Sequence, residues 1–275
     1  MPELPEVELF RRRLSRRAFG RKIKRVELRA PRMLEGASGA ELKTALAGNQ
    51  FLSSRRHGKH LLVKLERSGW LMLHFGLTGA LELFDRRDEE PKYTRMRVDF
   101  IDGGSLAYTS VRMLGRIGLT EDPGKFLRDR AVGLDVLDRR FDIKPFMNIF
   151  SEAEQRGSRL KKPIKAILMD QSLMAGIGNI YSDEILFQAR VYPLTPGEAL
   201  TAEQLKTIFR SIGRVLRTAI DCRAGSERFV ERLPRGYLLR QRNRGGECPR
   251  CATNFETYKL AGRTGYYCPR CQKRN

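Results

Sequence analysis

The sequence has no long apolar run. Its most apolar stretch, Trp70 to Phe84, is interrupted by His74 and Glu82 and is too short to cross a bilayer. The first residues, Met-Pro-Glu-Leu-Pro-Glu, lack the apolar core of a secretory leader. These two absences lead us to expect a soluble, intracellular chain. Acidic residues are in short supply: 32 Asp and Glu stand against 53 Lys and Arg, for a net charge of +21. A field of that size favours a polyanionic partner, with nucleic acid and an anionic membrane surface as the candidates and a merely solvated basic surface as the alternative. Cysteine is also sparse, with five residues, four at Cys-x-x-Cys spacing and Cys222 alone. In a reducing compartment such pairs point to metal before disulfide. No internal repeat or low-complexity tract is present. With 275 residues, 41% of them hydrophobic, the chain is globular and long enough for two domains, or one with appendages.

Local patterns divide the chain. A helix is expected from Pro5 to about Ala18, with Pro5 at the first helical position, Glu6 and Glu8 at the positive end of the dipole, and Val7, Phe10 and Leu14 at helical spacing. From Lys22 to about Thr120, short runs (Lys24–Leu28, Leu61–Leu65, Leu71–Phe75, Ala80–Phe84, Met96–Ile101, Ser105–Thr109) are separated by Gly, Asp and charged clusters. This is the pattern of an antiparallel sandwich or barrel. Glu121 to about Lys144 is charge-rich and reads as a connection. Helices follow: Lys162–Asp170, then a break at Gly176-Ile177-Gly178, then a helix capped by Asn179 and running to about Ala189. A third starts at Thr201, where Thr201 and Gln204 fit a capping box. Its stripe of Leu205, Ile208, Phe209, Ile212, Val215, Leu216 and Ile220 reads as core. Arg223 to Gly246 reads as a basic loop.

Three constellations carry chemistry. Cys248-Pro-Arg-Cys251 and Cys268-Pro-Arg-Cys271, sixteen residues apart, have the spacing of a four-cysteine zinc module. Between them a hairpin of Glu256–Leu260 and Thr264–Tyr267 is expected around Gly262-Arg263. Some thirty residues cannot bury a sufficient core, so the metal supplies folding energy, and four thiolates leave no open position for catalysis. Second, the turn Ala175–Asn179 exposes the amides of a helix N-terminus, which attract phosphate, with Lys161, Lys162 and Lys165 nearby. An ordinary helical hairpin is the competing reading. Third, removal of Met1 would leave Pro2 with a secondary amine. An α-amine titrates at about 7.7–8.0, so a useful fraction is unprotonated near neutrality. Attack on C1′ of a deoxyribose would expel the base and leave an iminium ion that acidifies the C2′ hydrogens. Glu3, adjacent, would protonate the ring oxygen or move protons, and Glu6, one helical turn along, would orient the amine; a Met-Pro start without catalytic meaning is the competing reading.

Pro2-Glu-Leu-Pro-Glu-Val-Glu8, the stretch Lys161–Glu184 around Gly176-Ile-Gly-Asn-Ile-Tyr181, and the terminal cysteine module occur in that order. Together they closely resemble the formamidopyrimidine-DNA glycosylase and endonuclease VIII family, nearest the bacterial formamidopyrimidine-DNA glycosylases, from Pro2 to about Lys273. The resemblance implies an α+β multidomain fold: an N-terminal antiparallel β-sandwich with a flanking helix (1–135), a helix-two-turn-helix DNA-binding domain (136–240) and a C-terminal four-cysteine zinc finger (241–275). It implies a bifunctional glycosylase and abasic-site lyase of base excision repair. Its partner would be double-stranded DNA bearing damaged bases or abasic sites, and its zinc one structural ion. Pro2 resembles the Schiff-base nucleophile, Glu3 the acid, Lys59 the lysine at the lesion phosphates, and Arg263 the hairpin arginine that assists the second elimination. Asn179 resembles the phosphate-binding asparagine, with Lys161 beside it, and Glu184 a glutamate near the site.

Extruding a nucleotide leaves a gap that side chains must fill. The corresponding wedge positions are Leu77, Arg112 and Leu114, where the family commonly has methionine, arginine and phenylalanine. Core packing is the competing reading for both leucines. Ser110-Val-Arg-Met-Leu-Gly115 departs from the family's Asp-Pro-Arg-Arg-Phe-Gly, Arg95 stands for a DNA-contacting histidine, Asn243-Arg-Gly-Gly-Glu-Cys248 replaces Tyr-Gly-Arg-x-Gly-Glu-Pro-Cys, and the loop near Arg223–Arg235 is short. These departures bear on lesion choice more than on sugar chemistry. Oxidised purines are the expected substrates. An endonuclease VIII-like preference for oxidised pyrimidines and a non-catalytic lesion-binding zinc protein are the alternatives. A monomer in the bacterial cytoplasm, associated with the nucleoid when bound to DNA and not with membrane, is expected.

Overall fold

The computed structural model describes residues 2–67, 69–151, 160–225 and 227–274. Met1, on whose removal the nucleophile reading depends, lies outside them. Two compact units form, one of residues 2 and 6–131, the other of residues 3–5 and 132–274.

The chain opens with α1 (Leu4–Arg17), whose Val7 and Leu14 are buried. Its polar side carries Glu8, bonded by Arg11 at 2.8 Å and Arg12 at 2.9 Å. Burial alone would raise the Glu8 carboxyl, but these arginines and Arg56 hold it below its ordinary range. Then follow β1 (Ile23–Leu28), β2 (Leu34–Glu35), α2 (Gly39–Leu46), β3 (Phe51–His57), β4 (His60–Leu65), β5 (Trp70–His74), β6 (Gly79–Phe84), β7 (Thr94–Phe100), β8 (Ser105–Ser110), β9 (Arg116–Thr120) and α3 (Pro123–Asp129). One sheet has the order β1-β7-β8-β6, the other β2-β9-β5-β4-β3. Their inner faces share one core, with Val26, Met96, Val98 and Leu106 from the first and Leu61, Val63, Leu71, Leu73 and Ile117 from the second. This is the expected sandwich. All pairings are antiparallel except the short β2–β9 pair. Tyr108 ties the sheets, stacking on Phe75 and donating its hydroxyl to the His74 carbonyl at 2.8 Å.

The second unit contains β10 (Leu134–Asp135), α4 (Ile143–Ser151), α5 (Ile164–Met169), β11 (Met174–Ala175), α6 (Asn179–Ala189), α7 (Ala202–Asp221) and the hairpin β12 (Glu256–Leu260) and β13 (Arg263–Tyr267). The Thr201–Gln204 capping box and the α7 stripe form as expected, with Phe209 only partly buried. Ala261 and Gly262, both at positive φ, make the two-residue hairpin turn, which places Arg263 at the start of β13 rather than in the turn. Among the described residues no helix is long and apolar enough to cross a membrane.

Several boundaries differ from the sequence reading. Residues 121–144 are more than a connector, since Asp122 caps α3 through the Gly124 and Lys125 amides. The helix expected from Lys162 begins at Ile164, because Pro163 occupies its N-cap. The basic segment holds two 3₁₀ turns, Val230–Arg232 and Leu238–Gln241, the second anchored by buried Leu238 and Leu239. Asn179 is not the cap of α6; Gly178 is, and no side chain of its own caps the helix there.

Candidate active site and metal centre

The start of α6 is capped from far away in sequence. Glu3 is fully buried, and its carboxylate accepts the backbone amides of Gly178 at 2.6 Å, Ile180 at 2.8 Å and Tyr181 at 3.3 Å. Those amides would otherwise be unpaired, and the helix dipole favours an anion at this end. Two glycines make the approach possible. A Cβ at Gly178 would lie 2.4 Å from the Glu3 carboxyl carbon, and one at Gly176, whose φ is +124°, would lie 2.5 Å from Leu4 Cδ1. Leu4 is fixed in turn by its backbone N–H, which donates a hydrogen bond to the Gly176 carbonyl at 3.1 Å. Three amides that the sequence reading offered to phosphate are thus committed to Glu3. Pro2, half-buried, directly precedes this anchored pair.

Asn179 keeps its side chain for other work. Its Nδ2 donates to the Thr264 carbonyl at 3.1 Å, and its Oδ1 is buried without a hydrogen-bond partner among the described residues. Lys161 is exposed just before α5. Lys165, grouped with it in the sequence reading, is fully buried and turns inward to Asp183 and to the Asn179 carbonyl, at 2.9 Å. Burial lowers its ammonium below the usual lysine range despite the Asp183 carboxylate. Asp183 also accepts from Arg242 Nη2 at 2.8 Å, Tyr258 hydroxyl at 2.8 Å and the Tyr266 amide at 3.1 Å. Sequence reasoning missed this hub. The available signal was two charged residues, Lys165 and Asp183, on helices otherwise rich in apolar residues, since buried charges need partners.

Glu184 is also buried. It accepts from Gln188 Nε2 at 2.6 Å and the Leu239 amide at 2.9 Å, so it holds the turn Leu238–Gln241. Burial pushes its carboxyl up to about 7.

In the sandwich unit, Lys59 lies half-buried in the turn between β3 and β4, where Gly58 takes φ +55°. Arg95 on β7 donates Nε to the Ser110 carbonyl at 2.7 Å. The wedge candidates come together on neighbouring loops. The Arg112 amide donates to Thr78 Oγ1 at 3.0 Å, and a Cβ at Gly76 would lie 2.5 Å from the Leu114 carbonyl carbon. Leu114 is 48% exposed, Val111 52% exposed, and Leu77 half-buried, so none of the three is core. Arg112 is exposed.

The four cysteine sulfurs lie within 4.8 Å of one another. Sγ···Sγ separations of 3.8 Å for Cys248–Cys271, 3.5 Å for Cys251–Cys268 and 3.6 Å for Cys251–Cys271 suit a tetrahedron with metal–sulfur bonds of about 2.3 Å, whose edge is about 3.8 Å. Backbone amides of Arg250 and Cys271 reach Cys248 and Cys268 Sγ at 3.4 Å each, as expected for knuckles that stabilise thiolates. Arg263, at the hairpin tip, is exposed.

Comparison with known proteins gives a consistent result. Family models described as Formamidopyrimidine-DNA glycosylase N-terminal domain, Formamidopyrimidine-DNA glycosylase H2TH domain, and Zinc finger found in FPG and IleRS match residues 1–117, 132–231 and 245–274. The formamidopyrimidine-DNA glycosylase of Heliobacterium modesticaldum is 36% identical over 288 residues, spanning 99% of this chain and 100% of that protein. That of Chloroflexus aurantiacus is 35% identical over 279 residues, spanning 99% and 98%. Among solved structures, the Lactococcus lactis enzyme non-covalently bound to DNA containing an AP site superposes with a TM-score of 0.87 at 29% identity, covering 99% of this chain and 100% of the other. A MutM protein in complex with DNA containing carbocyclic 8-oxo-G gives 0.85 at 28% identity, with the same coverage.

Proposed function

This chain belongs to the formamidopyrimidine-DNA glycosylase family, and from that premise we propose that it is a bifunctional DNA glycosylase and abasic-site lyase of bacterial base excision repair, acting on oxidised purines in double-stranded DNA. The observation that carries the reading is the burial of Glu3 against the Gly178, Ile180 and Tyr181 amides, because it fixes the backbone adjoining the Pro2 nitrogen. A flexible terminus would make a poor nucleophile, and an anchored one meets the orientation that bond formation requires.

The chemistry follows from a processed Pro2. Its nitrogen lone pair forms a bond to C1′ while the glycosidic bond breaks; the base leaves with that electron pair and takes a proton from solvent, and the Pro2 N–H proton passes to the Glu3 carboxylate. Opening of the sugar transfers the C1′–O4′ pair to oxygen, which accepts a proton from Glu3, and leaves an iminium ion on Pro2. The iminium acidifies C2′. Loss of a C2′ proton expels the 3′ phosphate, with Lys59 at the phosphates. A second elimination expels the 5′ phosphate with assistance from Arg263. Hydrolysis of the iminium frees the amine. Arg95, Lys161 and Asn179 hold backbone phosphates, and Leu77, Arg112 and Leu114 fill the space of the extruded nucleotide.

One zinc ion would sit on Cys248, Cys251, Cys268 and Cys271. It would supply folding energy to the hairpin and no step of the reaction, since four thiolates close its coordination. The division into domains at 1–135, 136–240 and 241–275 and a monomeric state belong to the same proposal.

Borohydride reduction tests it. Wild-type protein incubated with abasic-site duplex should give a covalent adduct stable to denaturation, and Pro2→Gly should give little. Absence of an adduct from Met-free, zinc-loaded wild type would leave the binding-only reading. A panel of lesion duplexes then separates purine from pyrimidine substrates.

A further inference from the structure

Asp183 is fully buried and its two oxygens accept five hydrogen bonds, from Lys165 Nζ, Tyr258 hydroxyl, the Tyr266 amide and both Nε and Nη2 of Arg242. Two cations on one buried anion is more than charge balance requires. Lys165 already neutralises Asp183, so Arg242 calls for a separate reason. Its second contact supplies one. Arg242 Nη2 also donates to the Thr264 carbonyl at 3.1 Å, the same oxygen that accepts Asn179 Nδ2 at 3.1 Å. The guanidinium lies 4.7 Å from the Tyr266 ring centroid, which fixes its plane.

The Thr264 carbonyl is therefore a joint. On one side it holds Asn179 at the start of α6. Its own residue follows Arg263 in β13. An amide side chain carries two N–H donors, and this carbonyl takes one, leaving the second for a ligand. Arg242 locks the joint to Asp183, which α6 itself carries one turn beyond Asn179. From this geometry we infer that Arg242 is a positioning residue. Through Asp183 and the Thr264 carbonyl it sets Asn179 and Arg263 at a fixed separation, so that the two act as one preorganised clamp on backbone phosphate. The inference rests on the phosphate roles proposed above for those two residues, and it adds the brace that couples them. A guanidinium is suited to this, because its planar fork reaches a carboxylate and a carbonyl together, whereas an ammonium on a flexible stem does not hold both in one plane.

A double-mutant cycle on DNA binding reads the coupling. Dissociation constants are measured for a duplex carrying a tetrahydrofuran abasic analogue, with wild type, Asn179→Ala, Arg263→Ala and the double variant. The same set is measured on the Arg242→Met and Arg242→Lys backgrounds. In wild type the double variant should bind about fivefold better than the product of the single effects predicts, the mark of two residues acting as a unit. On either Arg242 background the effects should multiply, and each background alone should weaken binding about tenfold. A purely structural role would lower the melting temperature or zinc content and leave the coupling intact.

Each alternative outcome decides. Independence of Asn179 and Arg263 in wild type, or coupling that survives both Arg242 substitutions, overturns the clamp. So does loss of zinc from both Arg242 variants, which would assign the residue to folding. Borohydride trapping on the same wild-type sample keeps the two readings apart: failure to trap sinks the lyase chemistry while the measured coupling still stands or falls by itself.

Discussion

Glu3 and Gly178, 175 positions apart in sequence, meet at 2.6 Å, carboxylate on amide, with no room between them for a methyl group. A Cβ at position 178 would lie 2.5 Å from Glu3 Oε1 and 2.4 Å from its carboxyl carbon, so Gly178→Ala must displace the carboxylate or the start of α6. Displacement of a nucleophile by about 1 Å costs on the order of a hundredfold in rate. Gly178→Ala should therefore lose about that much abasic-site cleavage while retaining its zinc. Wild-type cleavage rates in the variant would show that the anchoring of Glu3 has no bearing on Pro2.

Much of this architecture was legible because it is local. The α7 stripe, its Thr201–Gln204 cap and the four cysteines are readable from neighbours a few positions apart. Strand β3 was missed because only Phe51 is fully buried along it and Leu52 faces solvent, so no apolar alternation marks it. Strand β9 was missed because Gly118 interrupts its alternation, at a place where a Cβ would lie 2.6 Å from the Glu35 carbonyl oxygen. The Asn179 cap was misassigned because its actual anion, Glu3, is distant in sequence. Periodicity cannot supply such a partner.

The Asp183 hub gives an ordering of stabilities. Removing Lys165 as Met leaves Asp183 paired with Arg242. Removing the carboxylate as Asp183→Ala leaves Lys165, at 0% exposure, and Arg242, at 15%, facing each other with no anion between them. Stranding buried charge costs about 3–5 kcal/mol. Urea denaturation should place Asp183→Ala in that range and Lys165→Met well above it in stability. Equal losses would mean that Lys165 and Arg242 are not held by a common anion.

Acid should destabilise the sandwich unit through a histidine pair. His60 and His74 face each other across β4 and β5, with ring centroids 5.0 Å apart. Burial, then the neighbouring His74, pushes His60 down to about 3; burial, then Lys59 and Arg116, pushes His74 down to about 4. Unfolding returns both towards about 6.5, so below that pH the unfolded chain binds more protons than the folded one. Their contribution is fully present above about pH 6.5 and is lost as pH falls through 4 towards 3. The urea midpoint should decline over that window, and less steeply in His60→Phe. An identical decline in the variant would exonerate the pair.

Metal removal tests the cysteine cluster independently of the reaction. Thiolates at this spacing stabilise a module that has little core of its own, and structural zinc contributes apparent binding energies of about 10–16 kcal/mol in such modules. Elemental analysis should find one zinc per chain in wild type and none in Cys268→Ser. The variant should lose affinity for abasic-site duplex, since Arg263 sits on the hairpin between the cysteine pairs. Full affinity without metal would separate the hairpin from DNA binding.

Leu114 offers a test of base extrusion. It stands 48% exposed beside Val111 at 52%, on a loop fastened to its neighbour by the Arg112 amide on Thr78 Oγ1 and by close packing of Gly76 on the Leu114 carbonyl. An exposed leucine contributes little to folding, so truncation to alanine should change stability by no more than about 0.5 kcal/mol. If the side chain fills the gap left by an extruded nucleotide, its removal raises the cost of opening intact duplex, where stacking must be broken. The same removal matters less on a single strand, where the abasic sugar is already accessible. Leu114→Ala should therefore slow base release from a lesion duplex about tenfold and slow cleavage of a single-stranded abasic substrate distinctly less. Equal slowing on both substrates would remove Leu114 from the extrusion step, because a wedge has nothing to displace in an unpaired strand.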